Sequence, residues 1–223
     1  MNFFDVLQNQ TTEQRNWLMA SPIMHKAVAG NMTLPEYVAY LCQAYHHVRH
    51  TVPLLMAAGS RLGPEQEWLR VATAEYIEEE IGHEQWILND IEACGYDRER
   101  VINSMPNYAT EIMVSYAYHV IDRVNPLGFF GMVHVLEGTS VGVADSAAEG
   151  IQTGLGLPNK AFSYLRSHGA IDVEHIAFFE ALMNKISEPA ERDLIVHCSR
   201  NFYRLFGGVL RSIEPEQGLG LAA

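Results

Sequence analysis

The sequence lacks the features that would direct a protein to a membrane or to an oxidising compartment. No run of eighteen apolar residues occurs in its 223 residues, so we expect no membrane span. Residues 1–5 carry no basic side chain before their apolar part, which argues against a signal peptide. The three cysteines, Cys42, Cys94 and Cys198, are widely spaced and odd in number, which favours buried thiols over disulfides. We therefore expect a cytoplasmic protein without a membrane partner.

Positively charged residues are also scarce. The chain has 15 lysines and arginines against 27 aspartates and glutamates, and its formal net charge is −12. Such a chain repels phosphate backbones, so we expect no nucleic-acid partner, and the charge itself suits plain solubility. Hydrophobic residues, by contrast, make up 48% of the chain and aromatic residues 10%, which is enough for a substantial core.

Strand patterns, linkers and internal repeats are absent as well. No segment alternates apolar and polar residues as a half-buried strand does, and no glycine- and serine-rich linker divides the chain. The apolar residues instead recur at helical spacing between short connections. The sequence therefore predicts an all-α protein, a single domain over residues 1–223 built as a bundle of seven to eight helices.

Capping residues and prolines predict where these helices begin and end. The second helix is expected to run through His47 and to bend at Pro53, and the third to run unbroken from about Glu65 to Ala93. Residues 150–158 are rich in glycine and are interpreted as a loop. Helix starts are predicted near Thr11, Thr33, Asn107, Pro126, Asn159 and Pro189.

One predicted helix carries an unusual row of polar residues. His168, Asp172 and His175 are spaced i, i+4 and i+7, so they share one helix face over two turns. Imidazole together with carboxylate suits iron, manganese or zinc better than calcium or magnesium, which prefer oxygen ligands. A single row cannot enclose a metal ion, so the remaining ligands must come from other helices.

Three other predicted helices carry candidate partners for this row. Glu80 and His83 have the Glu-x-x-His spacing used by dinuclear iron carboxylate bundles. Glu137 lies on an otherwise apolar face, where a carboxylate is costly unless it is paired or bound to a metal. The second helix adds one histidine of three, namely His46, His47 or His50. Together these residues could supply the ligands of two metal ions.

The remaining acidic residues and histidines are interpreted without a metal. Runs of charge on helices are usually solvated, and this interpretation covers Glu78, Glu79, Glu84 and Glu174. Lone histidines are more often packed or exposed than metal-bound. We therefore interpret four of them as core or surface residues: His25, His119, His134 and His197.

These segments and motifs resemble the heme-oxygenase-like fold. Residues 24–45 resemble the segment that opens this fold, which is shared by TenA-like thiaminase II proteins and the pyrroloquinoline quinone synthase. Residues 135–139 are similar to the corresponding helix of bacterial heme oxygenases, and the candidate ligands resemble the pattern of heme-oxygenase-like diiron oxidases. Residues 80–86 are similar to the diiron branch that contains the fatty-acid decarboxylase forming terminal alkenes. The resemblance covers nearly the whole chain, but it concerns the fold more than the activity.

The resemblance to the diiron oxidases implies two Fe(II) ions, with O2 as co-substrate, acting on an acyl chain or an amino-acid derivative. In the decarboxylase branch the second helix supplies a glutamate, whereas only histidines are available here. The pocket-facing side of that helix implies His47 as the added ligand, with His50 next. A small-molecule substrate and a homodimer are also expected. The full predicted ligand set is His47, Glu80, His83, Glu137, His168, Asp172 and His175.

Three alternatives stand beside the diiron oxidase. A thiaminase II would need a catalytic aspartate and a nucleophilic cysteine, but Ala44 occupies the aspartate position and no cysteine lies near Glu137. A heme oxygenase would need a proximal haem ligand, and His25 could serve. A protein that only binds iron or a ligand would need no catalytic residue. In each case aromatic residues are expected on the pocket wall, drawn from Tyr45, Tyr76, Phe129, Phe130, Tyr164 and Phe179.

Overall fold

In a computed structural model, the described part of the chain, residues 1–214, is all α-helical and contains no strand. Within that part, the side chains of residue 142 and of residues 168–174 lie outside the description. The predicted all-α class is confirmed. The predicted count of seven to eight helices is wrong, because the described residues form twelve α-helices and several of the predicted long helices are broken.

The described bundle consists of twelve α-helices, and the longest of them lies at its centre. They are α1 (Phe3–Gln10), α2 (Thr12–Met19), α3 (Pro22–Val28), α4 (Leu34–Val48), α5 (Thr51–Gly59), α6 (Glu67–Glu80), α7 (His83–Ala93), α8 (Arg98–Ile102), α9 (Tyr108–His119), α10 (Phe130–Leu155), α11 (Ser163–Met183) and α12 (Pro189–Arg211). Helix α10 packs against α3, α11 and α12, and so forms the centre of the bundle. No single helix of the described chain is long and apolar enough to cross a membrane; residues 126–155 reach that length and apolarity only as two segments bent by 49°.

Several helix ends form where local sequence predicts them. The Thr33 hydroxyl accepts a hydrogen bond from the Glu36 amide, and the Glu36 carboxylate accepts one from the Thr33 amide, which forms a capping box at the start of α4. Asn107 caps α9 in the same manner, through its side-chain oxygen and the Thr110 amide at 3.0 Å. Pro189 occupies the first position of α12. These three starts are confirmed.

The start predicted near Thr11 is confirmed, because α2 begins at Thr12, although α1 precedes it and the Thr11 hydroxyl donates to the Leu7 carbonyl at 2.8 Å instead of capping α2. Other predicted helix boundaries are wrong. The second predicted helix does not bend at Pro53, since α4 ends at Val48 and α5 begins at Thr51. Asn159 starts only a short 3-10 turn ahead of α11.

The predicted glycine-rich loop at residues 150–158 is wrong for residues 150–155, because α10 continues to Leu155, and only residues 156–158 lie outside a helix. A Cβ atom at Gly150 would overlap the Ala27 carbonyl, and one at Gly154 would overlap the Gly30 carbonyl. The glycines therefore serve a close approach between α10 and the end of α3, which local sequence alone cannot reveal.

The predicted third helix is interrupted where the candidate ligands lie. Helix α6 ends at Glu80, Ile81 adopts an extended conformation with ψ of 119°, and Gly82 has a left-handed φ of 94°. Helix α7 then begins at His83. The prediction of one continuous helix is thus wrong, and the Glu-x-x-His pair spans a turn between two helices. Glycine suits this turn because L-residues rarely adopt such a positive φ.

Asp90 of α7 determines where α11 begins. Its buried carboxylate accepts hydrogen bonds from the amides of Ser163 and Tyr164, at 2.8 and 2.9 Å, and from the Ser163 hydroxyl at 2.5 Å. Helix α11 is therefore capped by a residue from another helix rather than by its own sequence neighbour. The same contact fixes the helix that carries His175 relative to the helix that carries His83.

His134 is a lone core histidine, as predicted. Its ring stacks on Phe179 with centroids 6.0 Å apart, and its Nδ1 lies 3.3 Å from the Ser199 hydroxyl. Burial, with a smaller contribution from Arg15, lowers the pKa of His134 to about 3. The ring is therefore neutral in the folded protein at neutral pH.

We expect His134 to make the folded state sensitive to mild acid. The folded pKa lies below the ordinary histidine pKa of about 6.5, so the unfolded chain takes up the proton first as pH falls. Stability is thus lost from about pH 6.5 downward, with about 2 kcal/mol arising from His134 between pH 7 and pH 5. Urea unfolding of the metal-free protein at both pH values measures the total loss, to which buried His46, with its pKa of about 4, also contributes, and His134→Phe should reduce that loss by about 2 kcal/mol. An unchanged pH dependence in His134→Phe would show that other groups cause the acid sensitivity.

Candidate metal centre

A largely apolar cavity of about 160 Å³ lies beside α10. Its wall is formed by residues of α3, α4, α5, α6, α10, α11 and α12. Among the side chains that the structure describes, three histidine or carboxylate groups lie on this wall, namely His47, Glu80 and Glu137. No lysine or arginine is among the described lining residues, and the undescribed side chains include none.

Only part of the predicted aromatic lining is found. Three of the six predicted residues line the cavity, namely Tyr76, Phe129 and Tyr164. The other three do not lie among the described lining residues: Tyr45, Phe130 and Phe179. Their place is taken by Tyr40 and Phe206.

Four of the predicted ligands form two contacting pairs. The Nδ1 of His83 lies 3.0 Å from a Glu80 carboxylate oxygen, across the turn between α6 and α7. The Nδ1 of His175 lies 3.9 Å from one oxygen of Glu137, and the Tyr76 hydroxyl donates to the other oxygen at 3.5 Å. Glu80 and Glu137 meet at the same cavity. Helices α6, α7, α10 and α11 thus each contribute one predicted ligand to this region.

The donor chemistry of this region fits iron, although the described side chains do not form a complete coordination shell. Among them, no group of three or more His, Cys, Asp or Glu residues is arranged to hold a metal ion. Two predicted ligands, His168 and Asp172, belong to α11, but their side chains lie outside the described residues. Carboxylate oxygens combined with imidazole nitrogens are the ligands that non-haem iron prefers. The complete ligand set therefore stays a prediction.

The three histidines of the second predicted helix point in different directions. His46 is buried with its Nε2 2.9 Å from the Ser104 hydroxyl, and His50 has its Nδ1 3.1 Å from the Tyr118 hydroxyl. Burial lowers the pKa of His46 to about 4. His47, which is 4% exposed, is the one of the three that lines the cavity. This geometry favours His47 over its neighbours, and its role as a ligand stays a prediction.

Two residues near the site have roles that sequence reasoning did not assign. Glu79 is half-exposed, as expected of a solvated face, yet its carboxylate lies 2.8 Å from the Nε2 of His175. Tyr76, expected only as pocket lining, contacts Glu137, and burial together with the Glu137 charge raises its pKa. The sequence could have indicated a role for Tyr76 at the site, because Tyr76 lies one helical turn before Glu80. No local signal distinguishes Glu79 from its exposed neighbour Glu78.

His25, the proposed haem ligand of the alternative hypothesis, lies on α3. Its side chain is exposed, whereas its neighbours Met24 and Ala27 line the cavity. The described cavity therefore presents carboxylates and His47 to a bound molecule, but not His25.

Comparison with known proteins supplies a family and a fold. The sequence model of a family described as iron-containing redox enzymes matches residues 38–207. No curated protein matches the sequence at a significant level.

Solved structures resemble the chain over nearly its whole length. A domain of unknown function with a heme oxygenase-like fold, from Shewanella denitrificans, superposes with a TM-score of 0.83 at 25% identity, covering 96% of this chain and 92% of that one. A TenA homologue from Pseudomonas syringae has a TM-score of 0.79 at 12% identity, covering 98% and 93%. Heme oxygenase from Leptospira interrogans has a TM-score of 0.74 at 15% identity, covering 95% and 99%. The chain has the heme-oxygenase-like fold and belongs to the family of iron-containing redox enzymes.

Proposed function

We propose that this protein is a non-haem iron oxidase that uses O2 to oxidise a small, largely apolar molecule bound in the cavity beside α10. The observation that carries the proposal is that Glu80 and Glu137 lie on the wall of an apolar cavity, where His83 and His175 contact them. Buried carboxylates are costly unless a cation or hydrogen bonds compensate them. Membership of an iron-containing redox family supports iron as that cation.

The predicted ligand set has the number and kind of donors for up to two ions. Glu80, His83, Glu137 and His175 would bind iron together with the predicted ligands His47, His168 and Asp172. Bound Fe(II) would supply the activation of O2, and O2 would supply the oxidising equivalents.

The chain's own residues provide the surroundings that such chemistry needs. The apolar wall excludes water, which protects a reactive centre from side reactions. The Tyr76 hydroxyl, 3.5 Å from Glu137, orients that carboxylate and leaves its other oxygen facing His175. Outer-shell partners of this kind orient ligands and tune a metal site.

The lining of the cavity bears on the class of substrate. An amino-acid derivative places a charged amino group and a carboxylate close together, and burying both is costly without charged partners, whereas an acyl chain presents a long apolar segment to the wall. The described cavity wall offers neither lysine nor arginine, and it is dominated by aliphatic and methionine side chains. Of the two predicted substrate classes, the acyl chain is therefore favoured. This choice agrees with the resemblance of residues 80–86 to the decarboxylase branch, and membership of that branch is part of the proposal.

The experiment that tests the proposal is oxygen consumption by anaerobically Fe(II)-loaded protein supplied with straight-chain acids, alcohols and amino acids. We expect substrate-dependent oxygen uptake with an apolar chain, and none in matched Zn(II)-loaded protein. Iron uptake without turnover of any substrate would support a binding or storage role instead. A stoichiometric Soret band that is lost in His25→Ala would support a heme oxygenase.

A second expected result concerns His47. His47→Ala should reduce iron from two ions to about one per chain, because it removes the predicted extra ligand on the cavity wall. An imidazole in place of a carboxylate also makes the second position less anionic, so that ion should be bound more weakly than the first. Metal analysis after gel filtration measures the occupancy. His46→Ala is the matched control, since its partner is Ser104, and it should retain both ions. A structure of the Fe(II)-soaked protein with His47 more than about 4 Å from any metal would eliminate it as a ligand.

A further inference from the structure

We propose that Glu79 is a positioning residue, which holds His175 in the tautomer and orientation required for metal binding. The proposal rests on the metal site of the proposed function and adds a residue that lies outside the predicted ligand set. Glu79 is in the last turn of α6, one residue before Glu80, and its carboxylate connects α6 to α11 through His175.

The two nitrogens of the His175 ring contact different carboxylates. The Nε2 lies 2.8 Å from Glu79, whereas the Nδ1 lies 3.9 Å from Glu137 on the cavity wall. Because these nitrogens occupy different edges of the ring, one edge faces Glu79 and the other faces Glu137. A neutral histidine carries one N–H group, and the acceptor beside one nitrogen decides which nitrogen keeps its lone pair.

The Glu79 contact therefore selects the tautomer. With the proton on Nε2, that N–H group lies beside the Glu79 carboxylate, 2.8 Å away, and the Nδ1 lone pair faces the Glu137 side, where the metal site is proposed. Histidine ligands commonly donate their second N–H to a carboxylate in this way, and loss of that carboxylate costs about 10–100-fold in metal affinity.

A solvated ion pair is the simpler interpretation of the same contact. Glu79 is 51% exposed, and exposed ion pairs contribute little to stability. The histidine, however, is only 5% exposed, so its ring orientation is set by protein groups rather than by water. Removal of Glu79 should thus change metal binding much more than it changes folding.

The test measures binding of Co(II) and of anaerobic Fe(II) to metal-free protein, by competition with a chelator. We expect Glu79→Ala to raise the Kd by about 10–100-fold. Glu79→Gln should give a smaller increase, because its amide oxygen keeps an acceptor beside Nε2. The control is Glu78→Gln, which removes the same charge from the adjacent exposed position and should alter the Kd by less than about twofold.

Two further measurements separate positioning from a structural role. The visible absorption spectrum of the Co(II) protein should change in Glu79→Ala, because the orientation of one ligand ring changes. Circular dichroism and the urea midpoint of the metal-free variants should stay close to wild type. If Glu79→Ala fails to fold, Glu79→Gln carries the test, because it retains the volume and the acceptor.

Several outcomes would overturn the proposal. A Kd and a Co(II) spectrum in Glu79→Ala equal to those of Glu78→Gln would show that the contact is only a surface pair. Loss of one metal equivalent in both Glu79 variants would identify Glu79 as a ligand instead. A wild-type protein that binds no divalent metal would refute this inference and the proposed function together. Metal binding that depends on Glu79, without oxygen chemistry, would refute the proposed function alone.

Discussion

Replacing His175 with alanine is expected to abolish tight Fe(II) binding while leaving the helical content close to that of wild type. His175 is buried on α11, beside Glu137 and Glu79, and is the member of the predicted row whose side chain is described. Loss of an outer-shell partner alone costs about 10–100-fold in affinity, so loss of a ligand should cost more than about 100-fold. Iron analysis after anaerobic loading and gel filtration measures this effect.

The control for this substitution is His197→Ala. His197 is an exposed histidine on α12, so its removal should leave iron binding unchanged. His175→Gln retains much of the side-chain volume and covers the case in which the alanine variant is unstable. Full iron occupancy in both His175 variants would show that the row on α11 is not a ligand set.

Replacing Asp90 with alanine should lower the free energy of unfolding by about 3 kcal/mol. The substitution leaves the amides of Ser163 and Tyr164 and the Ser163 hydroxyl without the buried carboxylate that accepts from them. Urea unfolding of the metal-free protein measures the loss. Asp90→Asn keeps one acceptor oxygen and should fall between wild type and Asp90→Ala.

Asp97→Ala is the matched control for Asp90→Ala. Asp97 also caps a helix, accepting from the Glu99 amide at 2.9 Å, but the contact is exposed and α8 is short. Its removal should cost about 1 kcal/mol or less. Equal losses of unfolding free energy in Asp90→Ala and Asp97→Ala would show that neither the burial of Asp90 nor its three hydrogen-bond donors explains its contribution to stability.

The sequence predicted those parts of the fold that depend on near neighbours. The starts at Thr33, Asn107 and Pro189 were predictable because a cap or proline acts within about one turn of its own position. The cap of α11 was not predictable, because its acceptor, Asp90, is 73 residues away from Ser163 in the chain.

Glycines were the main source of error in the helix boundaries. Gly82 looked like a tolerated glycine inside a helix, but it breaks one, whereas Gly150 and Gly154 looked like loop residues but belong to α10. A helix can continue through a lone glycine or end at it, and which of the two occurs depends on what packs against the glycine. In α10 the deciding contact is the backbone of residues 27–30.

The candidate site was predictable where it depends on residue type and spacing. Glu80 and His83 were found from their spacing and do contact each other, although across a turn rather than along a helix. The contact of Glu79 with His175 depends instead on how α6 meets α11, a tertiary relation that no spacing rule contains. The choice of His47 as the cavity-facing histidine likewise came from the resemblance to a known fold.

The left-handed backbone conformation of Gly82 limits which residues suit this position. A Cβ atom built at Gly82 would meet no other atom within 4 Å, so space does not exclude a larger residue there. The φ of 94° disfavours a larger residue instead, because an L-residue in this left-handed conformation is strained by about 1–2 kcal/mol. A D-alanine at this position would fit both the space and the angle. The turn that brings Glu80 to His83 therefore depends on one α-carbon that is not chiral.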